Sequence, residues 1–173
     1  MKKFPRFILW LAQGFGAGRI PVAPGTFGSV VGLLWFWILL LPKSPLVFLI
    51  GTVAGIFLSV WHSGVGEKIL RQRDPGSIVM DEIIAIPICF GGWLALLYFQ
   101  KGFWPAPEYF FSGKNGLMTI GVFLLFRLFD VTKPWPVKQS QNLPDGWGVT
   151  IDDVLAAVYV NIAVFFLLKF QGF

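Results

Sequence analysis

Charge is what this sequence has least of. Of 173 residues, 23 are charged, 14 Lys or Arg and 9 Asp or Glu. That 13% share is about half of what a soluble domain carries, too little to cover the surface of a water-soluble globule of this length. Histidine and cysteine are scarcer still. His62 is the single histidine, which excludes a two-His metal site or a two-His phosphoryl relay. Cys89 is the single cysteine and lies in an apolar run, which excludes an intrachain disulfide framework and a Cys-based zinc site.

Apolar residues fill the space instead. They make up 55% of the chain, aromatics alone 17%, and the mean hydropathy is +0.71. The aromatic content excludes disorder, and the composition is that of a membrane protein, one domain over residues 1–173. A net charge of +5 raises nucleic acid as a partner, but no dense Lys/Arg stripe accompanies it, and basic juxtamembrane loops account for it.

Residues 1–19 form a basic and aromatic segment. Its opening, MKKFPRFILWLA, imitates a signal peptide, yet the apolar stretch 7–12 is too short and runs into Gln13-Gly14. It reads as an interfacial segment with Trp10 at headgroup depth. Five apolar blocks follow, at 27–41, 46–61, 83–99, 117–129 and 151–168. Their length and unbroken apolarity predict helices that are not one-faced surface helices, so the fold class is all-α, a polytopic helical membrane protein. They fall somewhat short of the roughly 20 residues that span a bilayer core. Uncharged flanks extend the first two to 20–42 and 44–66, whereas the fourth stays short. Five spans are expected, with four as the alternative. Gly28-x-x-x-Gly32 and Gly51-x-x-x-Gly55 are expected to let helices approach closely.

Lys and Arg set orientation. Residues 1–19, 62–82 and 127–150 hold ten of the 14 basic residues, so these segments are expected to face the cytoplasm. Acidic residues contribute little to that rule, yet eight of nine fall on the same side, Glu108 being the exception. Five sit where a loop meets an apolar helix: Asp81 and Glu82, Asp130, and Asp152 and Asp153. First-turn capping is the lesser alternative for Asp81-Glu82, or for one of Asp152-Asp153. It does not account for Asp130, which follows a helix, although pairing with Arg127 or Lys133 at a spacing of three would. Taken together, the five suit a divalent cation, since Mg²⁺ prefers carboxylate oxygens and keeps waters for a phosphate-bearing substrate.

On the same side, the Gly/Pro-rich stretch 14–29 leads into the first helix. Free N–H groups around Gly25, the hydroxyls of Thr26 and Ser29, and Arg19 nearby could receive a phosphate. The GK[ST] ending of a Walker loop is missing, and on this stretch alone a plain turn with Thr26 as N-cap is the favoured expectation. Arg127-x-x-Asp130-x-x-Lys133-Pro134-Trp-Pro136 joins two cations and a carboxylate to a helix-ending Pro-x-Pro. The simpler reading of that stretch is an interfacial belt of Arg, Lys and Trp, which does not require Asp130.

As a set, PVAPGTFGS (21–29), DPGSIVMDE (74–82), FRLFDVTKPWP (126–136) and DGWGVTIDDVLAA (145–157) resemble the phosphatidylglycerophosphatase A family, over about residues 13–160. The resemblance implies a helical enzyme of the bacterial cytoplasmic membrane, multi-pass, with its active face cytoplasmic. It also implies Mg²⁺ dependence and removal of the terminal phosphate from the phospholipid phosphatidylglycerophosphate to give phosphatidylglycerol. Asp81 and Glu82 match the family's DE, Asp130 and Lys133 its FDxxKPxP, and Asp152 and Asp153 its DDxxAG. Two departures stand out. Pro144-Asp145-Gly146 replaces a His-Gly-Gly, which argues against a histidine base in that loop, and Ala157 replaces the Gly that closes the last motif.

The expected chemistry is metal-assisted phosphomonoester hydrolysis. Asp81, Glu82, Asp130, Asp152 and Asp153 would hold one or two Mg²⁺ ions, and Arg127 and Lys133 would offset phosphate charge. Thr26, Ser29 and the amides around Gly25 would orient it. A haloacid-type phosphatase needs Asp-x-Asp and a CDP-alcohol transferase a longer DG…AR…G…D…D signature; neither occurs. The rival of another class is a small cation channel or transporter with a carboxylate-lined path, which would place acids within the bilayer and at both mouths.

Overall fold

The computed structural model describes residues 3–170, with side chains from Arg6 onward; Lys2 and the Lys3 side chain, two cations counted toward orientation, lie outside that range. The described residues form helices joined by short loops, without a strand. Helix α1 (Lys3–Ala12) buries Ile8 and Ala12 and turns Trp10 outward against Phe7 and Phe15, with ring centroids 6.0 and 5.2 Å away. A 3₁₀ segment, Gly14–Arg19, leads to α2 (Pro24–Leu40). Helix α3 (Pro45–Leu70) begins at an N-cap, Ser44, whose side chain accepts from the Val47 amide. It ends at Arg71, whose left-handed φ of 53° directs its N–H to the Glu67 carbonyl. Then come α4 (Met80–Cys89), α5 (Gly91–Lys101), the short α6 (Glu108–Phe111), α7 (Gly113–Thr132), the short α8 (Val137–Ser140) and α9 (Gly146–Phe170).

All five apolar blocks are helices. The stretches Pro45–Leu70, Met80–Lys101, Gly113–Thr132 and Gly146–Phe170 are long and apolar enough to cross a membrane; α2, at 17 residues, is shorter. The fourth block is longer than its sequence suggested, because α7 draws in Gly113 and Lys114 at its start and Thr132 at its end.

The third block breaks at Phe90, between α4 and α5. Pro87 has no N–H to donate, so the helical ladder loosens there. Asn161 on α9 makes up the loss. Its side-chain amide donates to the Ile88 carbonyl at 2.6 Å and accepts from the Gly92 N–H at 2.6 Å. In an apolar surrounding, backbone groups freed by a kink need such a partner.

Helix α4 lies between α2 and α9. Gly28 and Gly32 face α4 at Val79 and Ile86, Gly55 faces Ile84, and Gly51 faces Leu39. About 16 Å along α2 from Gly25, taking 1.5 Å per residue, the core is aromatic. Phe36 stacks on Phe90 at 4.1 Å, and Phe110 meets Trp93 edge-on at 4.9 Å. This block pins α2, α5 and α6 together at the end of the bundle away from the first turns of α2 and α4.

The glycine seam makes a testable demand. A Cβ at Gly32 would sit 2.6 Å from Ile86 Cγ1 and 2.9 Å from the Ile83 carbonyl oxygen, whereas Gly121 on α7 has nothing within 4 Å. Gly32→Leu is expected to cost about 1–3 kcal/mol through overpacking and to lower the melting temperature in detergent. Gly121→Leu should leave it unchanged or slightly higher. Equal shifts would mean that α2 and α4 are not close-packed there.

Candidate active site

Two helix starts, one helix end and one helix interior converge. They are the first turns of α2 and α4, the second turn of α9, and the last turn of α7. The segment before α4 is fastened from below: the Val79 amide donates to the Ala12 carbonyl at 3.0 Å, and Val79 is fully buried. Gly18 leaves room for the Ser77 backbone, and Gly14, at φ +56°, for Val79 and Ile83. Asp81 and Glu82 therefore enter the first turn of α4 at a set height, pointing inward. Gly25 completes the approach from α2. A Cβ there would collide with the Glu82 carboxylate and come within 3.1 Å of the Arg127 guanidinium.

Asp81, Glu82 and Asp153 each place a carboxylate oxygen within 4.8 Å of the other two. Asp81 Oδ1, Glu82 Oε2 and Asp153 Oδ2 are buried without a hydrogen-bond partner. Two unit charges at this spacing repel by about 3–4 kcal/mol even at an effective dielectric of ~20, and orphaned buried oxygens add a desolvation cost. A hard dication relieves both. Three free carboxylate oxygens fit Mg²⁺, which accepts oxygen ligands and keeps its remaining positions for water or phosphate.

The other two expected ligands are occupied differently. Arg127 Nη1 contacts Asp130 Oδ2 at 2.7 Å, lies 4.0 Å from Glu82 Oε1, and donates to Ser29 Oγ at 3.3 Å. Ser29 in turn donates to the Gly25 carbonyl at 2.8 Å. Lys133 Nζ stands 3.7 Å from Asp130 Oδ1 and donates to Asp152 Oδ2. The remaining oxygen of Asp152 accepts the Asp153 amide at 3.1 Å. Lys133 reaches both acids because its backbone is left-handed, φ 43°, and ends α7. Partial burial disfavours its charge, but Asp152 first, then Asp153 and Asp130, outweigh that and hold its pKa above the ordinary lysine value. The five carboxylates thus divide into three with free oxygens and two held by cations.

Several expectations change. Thr26 is not the N-cap: α2 starts at Pro24, a preferred first-turn proline, after a left-handed Ala23. Thr26 lies in the first turn, its amide bonded to the Ala23 carbonyl. Asp152 and Asp153 do not open α9, which begins six residues earlier at Gly146, so neither caps it. Asp81 and Glu82 do lie in a first turn, but α4 has no side-chain cap. Arg19 turns away to Gln13 Oε1 at 2.8 Å. Asp145 pairs with Lys68 at 3.2 Å in solvent, apart from the cluster. His62 is buried, its Nδ1 2.6 Å from the Leu58 carbonyl.

Sequence reasoning missed the supports. Gln141 donates to Asp74 Oδ2 at 2.9 Å, and Glu67 accepts the Asp74 amide at 2.9 Å. These bonds tie the segment before α4 to the one before α9, around a polar cavity of about 290 Å³. The only signal for them was the Asp-Pro-Gly at 74–76, which reads as a turn.

The description "phosphatidylglycerophosphatase A" belongs to a family whose pattern matches residues 10–168. Among similar proteins, Phosphatidylglycerophosphatase A of Haemophilus influenzae is 36% identical over 156 residues, 90% of this chain and 85% of that protein. Phosphatidylglycerophosphatase A of Escherichia coli is 32% identical over 161 residues, 91% and 81% of the two. A Bacteroides thetaiotaomicron protein provisionally named a phosphatidylinositol-3-phosphatase is 32% identical over 171 residues, 94% of each. No solved structure matches. The matched span takes in all five carboxylates and both cations, and this chain belongs to the phosphatidylglycerophosphatase A family.

Proposed function

We propose that this protein is a Mg²⁺-dependent lipid phosphatase. It hydrolyses the terminal phosphomonoester of phosphatidylglycerophosphate to phosphatidylglycerol, at the cytoplasmic face of a bacterial inner membrane. The observation that carries this reading is the trio of buried, unpartnered carboxylate oxygens beside two cations, in a chain whose relatives are named for that activity. Asp81, Glu82 and Asp153 would hold the ion, with Asp130 and Asp152 at its edge. Bound Mg²⁺ supplies charge neutralisation on phosphate oxygens and a more acidic water.

The chain's own groups do the rest. Arg127, fixed by Ser29 and Asp130, and Lys133, fixed by Asp130 and Asp152, present positive charge without rearrangement, the preorganised arrangement that favours a phosphoryl transition state. Lys133 serves as a standing cation. The Gly25 N–H lies in the first turn of α2 and has no intrahelical acceptor, so it is free for a phosphate oxygen. The missing Cβ keeps that approach open. Water oxygen bonds to phosphorus, the bond from phosphorus to the glycerol oxygen breaks, and that oxygen leaves with a proton as the free hydroxyl of phosphatidylglycerol. An ion path would need acids along its length. Among the described residues the buried acids Asp81, Asp130, Asp152 and Asp153 all gather at one end of the bundle.

Purified protein in detergent is expected to release inorganic phosphate from phosphatidylglycerophosphate with Mg²⁺, to stop with EDTA, and to act more slowly on phosphatidylinositol-3-phosphate. No turnover with metal present would sink the proposal, and a preference for the inositol lipid would reassign the substrate. Asp81→Asn and Asp153→Asn should each lower kcat by about 100-fold or more. In EDTA both variants should melt no lower than wild type, since each removes one member of a repelling trio. Mg²⁺ at ~100 times its dissociation constant should stabilise wild type by about 2.7 kcal/mol, and neither variant should show that shift. A variant that keeps both turnover and the metal-induced shift would show that the trio is not the metal site.

A further inference from the structure

A groove runs down the outside of the bundle between α2 and α7, with a volume of about 540 Å³. Its walls include Val30 and Leu33 on one side and Leu117, Ile120, Phe123 and Leu124 on the other. Most of these are exposed, so the groove opens sideways, and the two helices are not a packed pair along this stretch.

The register ties the groove to the active site. On α7 the lining residues step back by three and four from Arg127, through Leu124 and Phe123 to Ile120 and Leu117, and so share its face. On α2, Val30 follows Ser29, and Leu33 lies one turn beyond it. The groove therefore has a polar end, where Arg127 Nη1 meets Ser29 Oγ at 3.3 Å. It also has an aromatic end, where Trp37 meets Phe111 with ring centroids 5.2 Å apart. From Arg127 back to Gly113 the α7 face runs about 21 Å at 1.5 Å per residue, against roughly 15 Å for one leaflet of a ~30 Å hydrocarbon core.

We propose that this groove seats one acyl chain of the lipid substrate, and that the lipid reaches the carboxylates sideways between α2 and α7. The inference rests on the lipid-phosphatase reading above. The occupant follows from charge and continuity. No residue lining the groove is charged, and Arg127 stands where it meets the carboxylates, so a molecule lying in the groove with its anionic group at Arg127 is an amphiphile of the shape of a phospholipid. A second membrane helix would need its own match to that charged end, and a bulk lipid would have no reason to prefer this face.

Two measurements test it. Val30→Trp and Leu124→Trp fill the groove, and Leu49→Trp places the same bulk on an exposed position of α3. For each, kcat/KM is measured on phosphatidylglycerophosphate with long acyl chains and on its dihexanoyl form. Filling the groove should lower the long-to-short ratio by about tenfold or more, while Leu49→Trp keeps the wild-type ratio. Unchanged ratios in both groove variants, with wild type active, would overturn the groove and leave the phosphatase reading standing. Independently, wild-type protein is irradiated with a phosphatidylglycerophosphate bearing a diazirine near its acyl end. Labelling should concentrate in peptides from 24–40 and 113–132, and labelling spread evenly over α3 and α9 would overturn the proposal. Labelling in the groove without turnover on any lipid phosphate would leave the groove standing while the phosphatase reading fails. The photolabel also covers the case in which a tryptophan variant does not fold.

Discussion

Three carboxylates that crowd one pocket, each with a buried oxygen that lacks a hydrogen-bond partner, set the terms for the rest of this molecule. Asp81, Glu82 and Asp153 come from two helices, α4 and α9, that their repulsion would push apart. Several kcal/mol of like-charge and desolvation cost has to be offset elsewhere. The offsets lie away from the cluster. Gly28 and Gly32 let α2 close on α4, Asn161 bolts α9 to the break between α4 and α5, and Phe36, Phe90, Trp93 and Phe110 lock the far end. Burying a side chain of that size contributes about 1.5–3 kcal/mol, so a few such contacts match the repulsion. Stability concentrated at one end permits a destabilised site at the other, a trade common at functional sites.

The cations do not cancel the trio. Arg127 and Lys133 stand at the C-terminal end of α7, where the helix dipole favours positive charge, and both spend their closest contacts on Asp130 and Asp152. Asp130, disfavoured by that same dipole, is held by the two cations on either side of it in sequence. The outcome is a site with two faces, a negative pocket beside a positive wall. A dication suits the first and a phosphate the second, and Gly25 keeps the opening between them clear of a side chain. A fully neutralised pocket would be more stable and would have no electrostatic reason to bind either.

The helices and the charged residues that converge at their ends were legible in the sequence because apolar runs and isolated charges are local signals. Boundaries were not. The start of α9 at Gly146, ahead of Asp152 by a turn and a half, follows from the packing of Gly146 and Gly148 against backbone atoms of α3 and the 141–143 segment. No periodicity in the sequence encodes that packing. The division of five carboxylates into three and two was also hidden, since a spacing of three allowed Asp130 to pair with Arg127 or Lys133 without showing that it meets both. Asn161 lay inside an apolar block with nothing to mark it. Its role exists only because Pro87 breaks a different helix, 74 residues earlier in the chain.

Scarcity of charge is what makes the assignment sharp. In a chain with many ions, an unpaired acid is one of dozens and solvent screens it. Here the apolar helices force each ionisable group near them to find a partner or remain costly. Arg127 and Lys133 account for Asp130 and Asp152 at close range, while Glu67 at the end of α3, and Asp74 and Asp145 in the polar loops, are bonded there. Glu108 is exposed at the start of α6, and Asp81, Glu82 and Asp153 remain, side by side, each with a buried oxygen that lacks a hydrogen-bond partner. Asn or Leu at any of the three would relieve repulsion that the acids impose, and the proposed Mg²⁺ would offset that same repulsion by sharing their oxygens.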